Sequence, residues 1–165
     1  MVEHLRHKRN RYIYIIFNHI SMSDVIGVAF PIPKSYISRF FDDGKTVFVK
    51  PATIFKELRA GMKFIFYQSH EDTGYVGEAI IKKTVILEDP FSFFKIYGDD
   101  IYLTKEELEN YFEAKKTWTV TSKRRKSKPR KRRWIAIELD SITKYDTPIK
   151  PERFVPVSGQ YIKSD

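Results

Sequence analysis

Residues 123–133 hold nine cationic side chains in eleven positions: Lys123, Arg124, Arg125, Lys126, Lys128, Arg130, Lys131, Arg132 and Arg133. Like charges packed this closely repel unless a polyanion neutralises them, so the chemistry this spacing suggests is contact with a phosphate backbone. Such contacts supply affinity and salt dependence but read no bases. The run has no interleaved apolar residues, and Pro129 works against a helix, so an amphipathic membrane-surface role fits less well. A nucleic acid is the expected partner, and no membrane is expected.

Other chemistry-bearing residues give weaker signals. His4 and His7 stand at i, i+3, but the nearby segment offers only Glu3 as a further ligand, so no metal is expected. The chain has no Cys, which excludes disulfide scaffolds, thiol nucleophiles, zinc knuckles and iron–sulfur clusters. Neither a Gly-any-Ser-any-Gly elbow nor a phosphate loop is present, and Gly44-Lys45-Thr46 lacks the first glycine and following helix of such a loop. No cofactor is expected.

The elements that must carry the basic run can be read from the rest of the chain. It has 165 residues, enough for one domain and a little more. Lys and Arg number 30 against 21 Asp and Glu, for a net charge of +9, yet residues 115–133 contribute 11 basic residues and no acidic one. The remainder carries −2. An ordinary, slightly acidic body therefore bears one concentrated basic segment. Aromatic residues make up 15% of the chain, and with Ile and Val they suit a sheet-centred core.

Residues 1–23 form an N-terminal extension with a basic start and a short apolar run at 12–17, too short to span a bilayer and a poor signal peptide. They are expected to be an edge strand (11–17) or, if translation begins at Met22, a segment foreign to the native protein. Residues 24–165 are the expected domain, and the protein is expected in the cytoplasm. Strands are predicted at 25–30, 46–50, 63–69 and 75–87, with helices at 33–41, 54–60 and 90–97. Thr104 and Glu107 form a capping box that starts a helix to about Ala114, where their structural role outweighs a catalytic one. Strands are predicted at 117–122 and 134–139, so the basic run becomes the tip of a long hairpin. Trp118 and Trp134 flank it, and an extended, proline-punctuated segment follows.

The stretch 36–81 orders a helix, Gly44-Lys45-Thr46, a strand ending at Lys50, then Leu58-Arg59-Ala60-Gly61-Met62-Lys63, Phe64-Ile65-Phe66-Tyr67-Gln68-Ser69 and Gly74-Tyr75-Val76-Gly77-Glu78-Ala79. It resembles the PUA-like superfamily of small β-barrels, especially the ASCH and EVE branches. The whole chain, with its Arg153-Phe154-Val155-Pro156 ending, looks similar to an uncharacterised archaeal family of PUA-like proteins. The implied fold is α+β: a small mixed β-barrel with short peripheral helices and the basic hairpin.

The resemblance also implies a base pocket built from Gly44, Lys45, Lys50, Tyr67, Gln68, Ser69 and His70. There an aromatic face would stack a base, an amide would read its edge and a lysine would hold a phosphate. The resulting expectation is a binding module that holds RNA on the basic arm and a single, modified or ordinary, base in the pocket. Two alternatives stand beside it. Some ASCH proteins hydrolyse acylated nucleosides with a Lys, a Thr and a Glu, for which this chain offers Lys45, Thr46 and Glu78. A non-enzymatic adaptor for an acidic protein partner is the other. Oligomeric state is left open by the sequence.

Overall fold

The computed structural model describes residues 24–52, 57–121 and 132–164, with side chains from 115 to 121 not described. Residues 1–23, most of the basic run and residues 54–56 of one expected helix lie outside the described residues. Six strands, β1 (Val25–Pro33), β2 (Val47–Pro51), β3 (Lys63–Ser69), β4 (Gly74–Leu87), β5 (Trp134–Ile149) and β6 (Gln160–Lys163), form one sheet in the order β2-β5-β4-β3-β1-β6. Three helices, α1 (Lys34–Phe41), α2 (Phe93–Tyr97) and α3 (Lys105–Thr121), lie between strands in the sequence. The fold is mixed α+β, as the resemblance implied, around the sheet-centred core that the composition suits.

Pairing is antiparallel except between β1 and β3, which run parallel with Phe30 opposite Phe66. A parallel pair needs a crossover, and α1 with β2 supplies it. Strand β1 runs on through Pro31 and Pro33, where the sequence suggested a stop. Its pairing with β6 ends at Ala29, and beyond that point β3 is its only partner strand among the described residues. A strand with one open side tolerates proline, whose missing N–H forfeits no bond when it faces outward.

Alternation sets the inner face. On β3, Phe64, Phe66 and Gln68 are buried while Ile65, Tyr67 and Ser69 are only partly so. On β1, Phe30 and Ile32 point the same way as Phe64 and Phe66, and Ile37 and Phe40 of α1 close over them. Three strands separate β1 from β2 in the sheet order, a gap of roughly 19 Å if the sheet were flat. The rings of Phe30 on β1 and Phe48 on β2 are nevertheless 5.0 Å apart, centroid to centroid. The sheet is therefore curled into a half-barrel, its concave side filled by Phe30, Phe48, Phe64, Phe66, Phe40 and Tyr102.

Two expected elements are corrected. Residues 117–121 belong to α3 and not to a strand, so the basic run joins a helix to β5 and is not bounded by two paired strands. The capping box nucleates α3, and each added residue then costs far less than the first turn, so a few β-branched residues near its end do not break it. Residues 57–62 are turn and irregular backbone where the tail of a helix was expected, with Gly61 at φ 90°.

Candidate functional site: a cleft at the seam of the half-barrel

Curling brings β1 and β2 face to face and leaves a cleft of about 420 Å³ between them. Pockets of roughly 300–1,000 Å³ accept small ligands. Phe30 to Pro33 form one wall, Phe48 and Lys50 the opposite one, Tyr36 and Tyr102 line it further, and α3 flanks it with Glu107, Asn110 and Tyr111. Those three helix residues stand at i, i+3 and i+4, the spacing that puts side chains on one helical face. The lining is mostly apolar, with five aromatic residues and a few polar groups.

The aromatic part is continuous. Tyr102 stacks on Phe48 at 5.1 Å and on Phe40 at 5.2 Å, and Tyr36 meets it edge-on at 6.1 Å. Burial pushes the Tyr102 phenol well up from its ordinary range, so this ring stays neutral. On the β2 side, the Lys50 ammonium sits 4.3 Å from the Phe30 ring centroid and donates to the Ser158 carbonyl at 2.6 Å. That bond ties the segment before β6 across to β2, with Val157 exposed at the rim of the cleft.

On the α3 side a carboxylate is locked in place. Arg39 of α1 donates through both terminal nitrogens to Glu107, at 2.7 and 2.8 Å, and again to the Tyr102 carbonyl at 2.8 Å. Its guanidinium also lies 4.6 Å from the Tyr36 ring centroid. The capping box forms as read from the sequence: Thr104 N–H donates to Glu107 at 2.8 Å, and Glu107 N–H to the Thr104 hydroxyl at 3.2 Å. The Arg39 bonds, helped by the Thr104 amide, outweigh burial and hold the Glu107 carboxyl at about 2. One side chain thus caps α3, fastens it to α1 and lines the cleft.

Of the residues expected to form the base pocket, only Lys50 lines this cleft. Tyr67 and Ser69 alternate with the inward Phe66 and Gln68, and Tyr67 meets Tyr75 edge-on at 5.7 Å across the β3–β4 pair. The Gln68 amide is buried and donates to the carbonyls of Glu71 and Asp72, which shapes the β3–β4 turn. His70 holds a positive φ of 76° in that turn, and Gly44 holds one of 69° after α1. The expected catalytic set is not gathered either. Lys45 bonds the Asp99 carbonyl, and the Thr46 backbone is tied to Asp100 and Leu139. Glu78 accepts from Tyr145 at 2.9 Å and lies 3.6 Å from Lys63, so the two ends of that set share no partner among the described residues.

The basic run returns to the sheet beside the cleft. The Arg133 carbonyl accepts from Ala52 N–H at 2.8 Å, just past the end of β2, and Trp134 pairs with Pro51. Trp134 is buried against Tyr111, 5.3 Å away and edge-on, which makes it a packing residue. Burial pushes the Tyr111 phenol up, and the positive charge of Arg132 acts in the opposite direction. The other expected contacts, Lys123, Arg124, Arg125, Lys126, Lys128, Arg130 and Lys131, lie outside the described residues.

Sequence reading missed Tyr36, Arg39, Tyr102, Asn110 and Tyr111 as cleft residues. The Glu107, Asn110, Tyr111 stripe was visible in principle, since it shares a helix that the capping box already announced. Nothing in the local sequence announced Arg39, whose partner lies 68 residues away. Among the described residues no group of three His, Asp or Glu side chains could hold a metal, and no helix is long and apolar enough to cross a membrane.

Comparison with known proteins agrees with this architecture. An ASCH protein from Zymomonas mobilis superposes with a TM-score of 0.62 at 14% identity, over 84% of this chain and 88% of its own. A Ser-to-Ala variant of that protein superposes with a TM-score of 0.63 at 14% identity, over 86% and 92%. At such identities the likeness concerns the fold alone. The Uncharacterized protein MJECS03 of Methanocaldococcus jannaschii is 40% identical over 105 residues, 63% of this chain and 92% of the relative. The profile of a domain of unknown function, DUF365, matches residues 25–164. The half-barrel has an ASCH-like fold, and the chain thus belongs to the DUF365 family.

Proposed function

We propose that this protein is an RNA-binding module in which the basic run holds the phosphate backbone and the seam cleft takes one unstacked base. The observation that carries this reading is where the basic run ends: the Arg133 carbonyl is bonded by Ala52 N–H just past β2, and Trp134 next to it packs edge-on against Tyr111, a wall of the cleft. A backbone gripped there has a base within reach of the half-buried Tyr36 and Tyr111 rings, which line the cleft. Stacking on aromatic rings contributes about 1–3 kcal/mol per base in single-strand binders. The ASCH-like fold supports the reading as a scaffold and assigns no ligand.

Fluorescence anisotropy with single-stranded RNA at several salt concentrations tests it. With about five phosphates neutralised, log K against log salt should slope by roughly −3.5. Changing Arg130, Lys131, Arg132 and Arg133 together to Ser should flatten that slope. Binding that ignores salt, or that survives the four changes unaltered, defeats the proposal.

A further inference from the structure

The Glu107 carboxylate has one acceptor position left. Its Oε2 accepts from Arg39 and from Thr104 N–H, and its Oε1 accepts from the other Arg39 nitrogen. A carboxylate oxygen offers two lone pairs, so Oε1 retains one without a partner among the described residues. The group is held rigid by three bonds from two elements, it lines the cleft, and it can accept but not donate. Asn110, one turn further along the same helix face, adds an amide that can donate or accept.

We infer that Glu107 is the specificity-determining residue of the cleft and selects nucleobases that carry an exocyclic amino group. This rests on the base-binding reading above. An amino group projects beyond the ring and offers a hydrogen with no carbonyl beside it, which suits a fixed anionic acceptor. Uracil presents its one ring N–H between two carbonyl oxygens, and a carboxylate aimed there meets their partial negative charge. Asn110 can donate to the ring nitrogen beside the amino group of cytosine or adenine. The aromatic walls are indifferent to which base they stack, so discrimination falls to α3.

The test removes the amino group from the ligand and leaves the protein intact. Oligouridylate with one central cytidine or adenosine is compared with the same strand carrying the deaminated analogues, pyrimidinone riboside or purine riboside, and with oligouridylate alone. Loss of a hydrogen bond to a charged acceptor should weaken binding on the order of tenfold to a hundredfold. Glu107→Gln, confirmed as folded by its unfolding transition, should erase the difference. Thr104→Val removes a capping partner while keeping the carboxylate, and should retain it. Equal affinity for amino and deaminated strands, with salt-sensitive RNA binding intact, overturns the inference and leaves the binding module standing. Loss of the preference in Thr104→Val assigns Glu107 a structural role and overturns it too. Absence of any RNA binding overturns both.

Discussion

Replacing Glu107 with Gln should destabilise the protein at neutral pH and cease to matter in acid. The carboxyl falls from an ordinary 4.5 to about 2, chiefly through its two bonds from Arg39. At about 1.4 kcal/mol per tenfold change in proton affinity, that displacement corresponds to roughly 3 kcal/mol. Solvent reaches 25% of the Arg39 side chain and 26% of Glu107, so screening brings the expected contribution to about 1–2 kcal/mol. The folded state binds this proton less readily than the unfolded chain. The contribution is therefore fully present above about 4.5 and disappears as the pH falls toward 2. Urea unfolding at pH 7, 5, 4, 3 and 2.5 would record it in both proteins. The gap between wild type and Glu107→Gln should be widest at pH 7 and close progressively below pH 4.5. A gap that stays constant down to pH 2.5 would refute the argument, because Gln would then be failing for its shape and not for its missing charge.

Three further outcomes follow from the packing. Gly77→Ala would place a methyl group 2.5 Å from both the Phe41 ring and the Thr143 carbonyl, so it should cost about 1–3 kcal/mol, seen as a lower urea midpoint. Lys50→Met removes the donor to Ser158, and limited proteolysis should then cut faster in the segment before β6. Burial and the bond to Glu78 push the Tyr145 phenol up to about 12. Stability it contributes is complete below the ordinary value of 10.0 and is lost as the pH rises toward about 12, so alkaline unfolding should show a decline that Tyr145→Phe lacks.

Local signals were legible where local physics decides. The β3–β4 hairpin, α1 and the Thr104–Glu107 box each rest on periodicity, turn residues or capping within a few positions, and each forms as read. The tail of α3 was misread because Thr117, Thr119, Val120 and Thr121 have strand-favouring side chains, while helix propagation from an established cap overrides them. The cleft was illegible for a different reason. It exists only because the sheet curls, and the curl joins Phe30 to Phe48 across three intervening strands. Tyr67 was a fair aromatic candidate, but it shares a strand face with Ser69, opposite the inward Phe66 and Gln68.

The position of β1 has a consequence for how the chain is made. It lies between β3 and β6, so among the described strands one flank of β1 is covered only once residues 160–163 have been made. At roughly 5–20 residues per second, a ribosome takes on the order of ten seconds to travel from β1 to β6. During that interval the apolar run of β1 has at best one neighbour among the described strands. Its open flank is then a place where nascent chains can pair with one another. A stop a few residues before Gln160 would remove the β6 cover from that edge for good and leave a seed for association.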